Sequence, residues 1–145
     1  MTAQDHLDVI DTTVQKTYSW INDLREELAG VSRREAYHVL RGMLHVLRDR
    51  LTVDEAVQLG AQMTMLIRGL YYEGWDPSKT PVKLRREEFV ARFAWEAGLS
   101  DLELAEQALQ AAVRTLRRHV TEGEYEDVLV SLPEHLRELF TGAIT

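Results

Sequence analysis

The sequence contains no cysteine and only 3 proline residues among its 145 residues. The absence of cysteine excludes disulfide bonds, thiolate metal sites and cysteine nucleophiles. No apolar run approaches the roughly 18 to 20 residues that are needed to cross a bilayer. The segment from Met1 to Asp11 also lacks the basic and apolar regions of a signal peptide. We therefore expect a cytoplasmic protein that is neither secreted nor inserted in a membrane.

The composition is that of a folded chain, with 45% hydrophobic and 28% charged residues. This proportion is far from that of disordered or low-complexity chains and is sufficient for one domain or two small ones. The 17 Lys and Arg residues are outnumbered by 24 Asp and Glu residues, which gives a net charge of −7. Such a balance argues against nucleic-acid binding, because that binding depends on attraction to phosphate.

The chain resembles itself when it is shifted by 69 residues. This offset aligns identical residues without a gap: Ala36 with Ala105, Leu40 with Leu109, Leu47 with Leu116, Arg48 with Arg117, Arg68 with Arg137 and Leu70 with Leu139. One extra residue near Leu99 is needed to extend the match to the first helix of each half. The sequence thus predicts a first helical repeat over residues 1–76 and a second over residues 84–145, joined by a linker over residues 77–83 that contains Pro77 and Pro81.

Apolar residues recur at steps of three and four in both halves, and no alternating strand pattern competes with them. We predict an all-α protein of seven or eight helices in two packed bundles. The predicted helices are 12–28, 33–49, 53–74, 83–97, 101–118, 122–130 and 132–141. The periodicity leaves open whether helix 53–74 breaks near Thr64, which aligns with Pro133, and whether the two halves share one core.

Five capping boxes support these helix starts, because in each a hydroxyl and a carboxylate are spaced to satisfy free backbone donors. The five boxes pair Ser32 with Glu35, Thr52 with Glu55, Ser100 with Glu103, Thr121 with Glu124, and Ser131 with Glu134.

Two stretches of the first half, Leu51 to Gln62 and Leu66 to Trp75, together with Leu132 to Phe140 near the end, resemble the bacterial domain-of-unknown-function family 2267. The sequence departs from that family at Thr64, where a proline is common, and at Phe140, where a tryptophan is frequent. The resemblance covers nearly the whole chain and implies an all-helical, internally duplicated bacterial protein. It supplies no substrate, cofactor or catalytic residue.

The strongest candidate for a partner or ligand surface is the set Arg68, Tyr71, Tyr72 and Trp75, which follow one another at helical spacing. The second half lacks the corresponding aromatic cluster. Such residue types dominate binding hot spots, since they bury a large area and keep a polar tip. The alternative interpretation is structural: the rings cover the hinge between the bundles.

A weaker candidate is a metal site formed by Glu35, His38 and His45, since Glu-x-x-His is the spacing used by di-iron bundles. The second half has Leu104 and Gln107 at the matching positions, so the set of ligands is incomplete. Ordinary surface or boundary histidines explain the residues better. We therefore predict no metal and no cofactor.

The remaining patterns contain no nucleophile elbow, phosphate-binding glycine loop or dinucleotide fingerprint. Basic residues do concentrate on the second helix of each half, but the net charge opposes binding to nucleic acid. The sequence favours a non-enzymatic interaction or scaffold module that binds a protein partner or a second copy of itself. The alternative is a bundle that binds a small ligand, or is catalytic, with its pocket between the two repeats.

Overall fold

A computed structural model describes residues 7–142 of the chain, and within them eight α-helices and no strand are found. The helices are α1 (Asp8–Glu27), α2 (Arg33–Arg50), α3 (Val53–Ala61), α4 (Met65–Tyr72), α5 (Arg86–Ala97), α6 (Leu102–His119), α7 (Glu122–Ser131) and α8 (Glu134–Thr141). The prediction of an all-α protein with seven or eight helices is confirmed. In this part of the chain, no helix is both long and apolar enough to cross a membrane.

The predicted helix 53–74 is two helices, which answers the question that the sequence left open. Thr64 is the N-cap of α4 and has an extended backbone, so α3 stops before it. Arg68 spans the break, donating hydrogen bonds to the carbonyl oxygens of Gly60, at 3.0 Å, and Met63, at 2.7 Å. Both carbonyls lie at the end of α3, where a cation is favourable.

The same arrangement recurs 69 residues later. Arg137 on α8 donates to the carbonyl oxygens of Leu132, at 2.9 Å, and Val130, at 3.2 Å, near the end of α7. Arg68 and Arg137 therefore have the same structural role, each bonding carbonyl oxygens at the end of the preceding short helix.

A second pair of hydrogen bonds also recurs at this offset, but with donor and acceptor exchanged. In the first half, the Tyr71 hydroxyl on α4 donates to the carbonyl of Ala56 on α3, at 2.8 Å. In the second half, the tyrosine is on α7, where Tyr125 donates to the carbonyl of Phe140 on α8, at 2.8 Å. Each hydroxyl thus ties together the two short helices of its own half.

Helix starts follow the predicted capping boxes only in part. Ser32 and Glu35 form the complete reciprocal box at the start of α2. Thr52 and Thr121 each accept a hydrogen bond from the expected backbone N–H, but the carboxylates of Glu55 and Glu124 do not complete the boxes.

Two of the five boxes are wrong. Asp101, not Ser100, is the N-cap of α6, because its carboxylate accepts from two N–H groups, those of Glu103 and Leu104. At α8 the N-cap is Pro133, and the hydroxyl of Ser131 instead donates back to the carbonyl of Asp127, at 2.9 Å. Helix α8 consequently begins at Glu134 rather than at residue 132.

Buried apolar side chains from both halves form one continuous core. Its centre is the contact between α2 and α5, which belong to different halves and pack more extensively than any other pair of helices. Gly42 makes this closeness possible, since a Cβ atom there would lie 3.3 Å from the backbone nitrogen of Ala97 and 3.3 Å from the ring of Phe93. The close packing that the sequence favoured is therefore present, and α1 likewise packs on α6.

The predicted linker joins the halves along the surface. It contains a single 3-10 turn, Pro77–Lys79, and the backbone N–H of Val82 donates to the carbonyl of Asp49, at 2.7 Å. Helix α5 begins at Arg86, three residues later than predicted, and Arg85 is its N-cap. The repeat boundaries themselves stay a prediction.

Candidate functional site

A groove with a volume of about 970 Å³ lies where the two halves meet. The end of α1 and the start of α2 form one wall, and the end of α5 and the first turns of α6 form the other. We call it the inter-half groove. The alternative function inferred from the sequence, a ligand-binding bundle, has its pocket at this position between the two repeats.

The inter-half groove presents large apolar side chains to solvent. Trp95 on α5 is 81% exposed, and Leu104 on α6 is 57% exposed. Leu28, Val31 and Leu99 also line the groove, and each is partly buried against the core. An exposed tryptophan beside other apolar side chains is unusual on a protein surface and often marks a place where a partner binds.

Most carboxylates of the groove already have partners. Glu27 pairs with Arg114, and Glu96 pairs with Arg41 at 3.1 Å. Glu35 is held by Ser32, whose hydrogen bonds keep the pKa of this carboxyl below its ordinary value. The groove therefore offers apolar surface with little net charge.

The four residues of the predicted binding surface, Arg68, Tyr71, Tyr72 and Trp75, lie in different environments. Tyr71 is fully buried, and its hydroxyl is bound to Ala56, so its inclusion in a surface is wrong. Burial also raises the pKa of Tyr71 well above its ordinary value. Arg68 holds the end of α3, as described above.

Tyr72 and Trp75 stack on each other, with ring centroids 5.3 Å apart, and both pack partly buried against the core. This is the environment expected of the structural alternative, in which the rings cover the hinge. A role of Tyr72 and Trp75 in binding a partner stays a prediction.

The end of α4 is fixed by two buried side chains of α2 that sequence reasoning did not assign to it. Arg48 donates to the carbonyl oxygens of Tyr71, at 2.9 Å, and Glu73, at 2.8 Å. The Nε2 of His45 donates to the carbonyl of Leu70, at 2.8 Å. Burial lowers the pKa of His45, an effect that the hydrogen bond to Leu70 and the nearby carboxylate of Glu96 partly oppose.

The weak metal candidate is not assembled. Glu35 is committed to its capping box, His38 is exposed and packs its edge on Tyr37, and His45 is buried against α4. Between residues 7 and 142, no group of three or more His, Asp or Glu side chains is placed to hold a metal ion.

Several basic residues of the second helices face carboxylates of the same chain. On α6, Arg118 lies 3.6 Å from Glu27, and His119 lies 2.7 Å from Asp23 and stacks on Trp20. On α2, Arg48 is buried. The basic character of these helices is thus largely used inside the fold.

Sequence reasoning missed Trp95, although the signal was present. The apolar stripe of α5 is Phe89, Phe93 and Ala97, and Trp95 lies off this stripe on the exposed side of the helix. At the repeat offset it corresponds to Glu26, so the tryptophan occurs in one half only.

A search of the curated proteins finds no match to this sequence. Residues 17–139 match the model of a family described as an uncharacterized conserved protein, DUF2267. The match covers most of the chain, includes α2 through α7 entirely and confirms the resemblance inferred from the sequence motifs. The chain therefore belongs to the DUF2267 family.

Proposed function

We propose that this protein is a non-enzymatic interaction module and that it binds a partner protein in the inter-half groove. The observation that carries the proposal is the exposed Trp95 at the edge of a groove to which both halves contribute. Burying a tryptophan that is 81% exposed gives a partner a large apolar contact.

The proposed occupant is an amphipathic helix of the partner. A groove between helices accommodates the apolar face of such a helix, with anchor residues spaced by three or four positions. Trp95 and Leu104 supply the apolar contacts, and Gln107 supplies an amide to the groove. Since the chain has a net charge of −7, basic residues on the outer face of the helix favour association.

The absence of enzymatic activity is part of the proposal. It is supported by the commitments of the three carboxylates in the groove, because Glu27, Glu35 and Glu96 are each held by a partner within the fold. A general acid or base has to reach the substrate and exchange a proton with it. A bacterial origin and a cytoplasmic location are also part of the proposal, and they rest on the sequence.

A small apolar ligand is the second candidate. The groove volume of about 970 Å³ lies at the upper end of the range for small-molecule pockets, about 300–1,000 Å³. The two candidate ligands contact different parts of the groove. A helix contacts the exposed rim at Trp95, whereas a small molecule contacts the floor at Val39 and Ala108.

A site-specific crosslinking experiment tests the proposal. A photoreactive phenylalanine analogue replaces Trp95 in one variant and Val130 in a control variant, and both are expressed in the native host. Val130 is 75% exposed but lies on α7, outside the groove. We expect a discrete protein adduct from position 95 that position 130 does not give.

The identified partner is then mapped by mass spectrometry. A crosslink to the apolar face of a helix supports the proposal. The absence of any adduct specific to position 95, or a specific adduct with a small molecule alone, contradicts it.

Self-association is the version of this proposal in which the partner is a second copy. Sedimentation velocity of the purified protein over a range of micromolar concentrations measures it directly. A dimer that Trp95→Ala converts to monomer, while Val130→Ala does not, assigns the groove to this contact.

A further inference from the structure

Each of two packed helices, α3 of the first half and α7 of the second half, carries a buried glutamate. Glu55 is 9% exposed and Glu124 is 8% exposed. They occupy matching positions at the offset of 69 residues, each three residues after its N-cap threonine. Neither residue lines the inter-half groove.

The two carboxyl groups have few partners within the fold. Within residues 7–142, neither glutamate forms an ion pair with a basic side chain. The hydroxyl oxygen of Ser131 lies 3.3 Å from Oε1 of Glu55, but its single proton is shared with the closer carbonyl of Asp127, at 2.9 Å. The Oε2 atoms of Glu55 and Glu124 are both buried and have no hydrogen-bond donor.

The two carboxyl groups lie close enough to interact, because Glu55 contacts Ser131, which lies seven residues, or about two turns, after Glu124 on α7. An ionised carboxylate only accepts hydrogen bonds, so two ionised groups at this distance repel and leave their buried oxygens unsatisfied. One proton between them removes one charge and supplies the missing donor. Buried carboxyl pairs elsewhere behave in this way.

The other titratable groups around the pair supply no positive charge. Asp127 on α7 adds a further negative charge, which raises the pKa of Glu124, and Tyr71 on α4 is neutral, with its hydroxyl bound to Ala56. Burial, followed by the hydrogen bond and charge of Glu55, raises the pKa of Glu124 to about 8.

We propose that Glu55 and Glu124 share one proton across the contact between α3 and α7, and that loss of this proton in alkaline solution loosens the contact between the two halves. The pair is then a pH-sensitive joint built into the fold.

The sign of the effect follows from proton linkage. The pKa of Glu124 in the folded state, about 8, is above the ordinary glutamate value of 4.5. Between these two pH values the folded protein binds one proton more than the unfolded chain. The contribution of this pair to stability is therefore greatest below the ordinary value and declines as the pH rises towards 8, by up to tenfold in the folding equilibrium constant for each pH unit. The lowered pKa of His45 has the opposite effect near pH 6.5, so the pair is measured by comparison with a variant that lacks it.

Urea denaturation between pH 5 and pH 9 tests the proposal with the variant Glu124→Gln. The amide is neutral without a bound proton, and its N–H donates to Glu55. We expect the free energy of unfolding of the wild type, relative to that of the variant, to fall by up to a tenfold change in equilibrium constant per pH unit towards pH 8, and the variant to be at least as stable at pH 8. The matched control is Glu126→Gln, an exposed glutamate on the same helix, which should retain the wild-type slope.

A Glu124→Gln variant with the same slope as the wild type would overturn the proposal. A second measurement on the wild type does not depend on any substitution: the ¹³C shifts of the glutamate carboxyl carbons are followed by NMR against pH. A signal of this pair with a midpoint near pH 8 supports the shared proton. Midpoints below about pH 6 for both carboxyl groups contradict it.

A divalent cation is the competing explanation for two facing carboxylates. Stabilisation of the wild type by millimolar Mg²⁺ or Mn²⁺ at pH 8, absent in Glu124→Gln, would assign the pair to a cation and overturn the shared proton.

Discussion

Arg48 provides the sharpest test of how the first half is held together. Its guanidinium is buried, and it bonds two carbonyl oxygens at the end of α4, those of Tyr71 and Glu73, at 2.9 and 2.8 Å. A third hydrogen bond reaches the Asp49 carboxylate at 2.9 Å. In Arg48→Met the apolar stem is retained, so the substitution removes mainly the polar contacts.

The expected loss follows from these contacts. A hydrogen bond to a charged group contributes about 1.5–3 kcal/mol, and a carbonyl left buried without a donor adds to the penalty. We expect Arg48→Met to lower the free energy of unfolding by about 3 kcal/mol or more, which is a large part of the usual total of about 5–15 kcal/mol. Arg48→Lys keeps the charge but not the planar fork, and it should lose an intermediate amount.

Urea denaturation at pH 7, followed by circular dichroism, measures this loss. Arg92→Ala is the control, because Arg92 is an exposed arginine on α5 and its removal should change stability by less than about 0.5 kcal/mol. A loss of less than about 1 kcal/mol in Arg48→Met refutes the assignment of Arg48 as the anchor of α4.

Three further predictions follow from the packing. Tyr71→Phe and Tyr125→Phe should each lower the free energy of unfolding by about 1–2 kcal/mol, since each leaves a buried carbonyl without its donor, and equal stability to the wild type in urea denaturation would contradict this. Gly42→Ala should lower the free energy of unfolding by about 1–3 kcal/mol, because the added methyl presses on α5. Gly69→Ala should raise it by about 0.5–1 kcal/mol, because the Cβ atom there meets open space. Thermal melts that rank the two variants in the opposite order would disprove this packing. Trp75→Ala should lower the free energy of unfolding by about 2 kcal/mol or more, and an unchanged melting temperature would instead favour a purely surface role.

Much of the fold was predictable from the sequence because its signals are local. The three- and four-residue apolar spacing, the reciprocal box of Ser32 and Glu35, and the helix-breaking Pro133 each act within a few residues. Where local signals compete, prediction failed. Ser100 and Asp101 are both good N-caps, and only the backbone geometry decides that Asp101 is used.

The candidate site was less predictable because it depends on contacts between halves. Tyr71 has the composition of a binding residue, yet the packing of α4 on α2 buries it. Glu55 and Glu124 match the capping pattern, but the contact between α3 and α7 brings their carboxyl groups together instead. The sequence places Trp95 off the apolar stripe of α5, so its exposure could be predicted. The groove beside it could not, because it forms only when four helices are packed together.

Binding of a partner to the inter-half groove through Trp95 sets the affinity of the complex, so the dissociation constant of the crosslinked partner is the decisive quantity. The measurement is made by isothermal titration calorimetry with the wild type, Trp95→Ala and Val130→Ala, after confirming that all three have the same melting temperature. A binding hot spot contributes about 2 kcal/mol or more, so the account predicts that Trp95→Ala weakens binding by roughly thirtyfold while Val130→Ala leaves it unchanged. Equal affinity of Trp95→Ala and the wild type would contradict it.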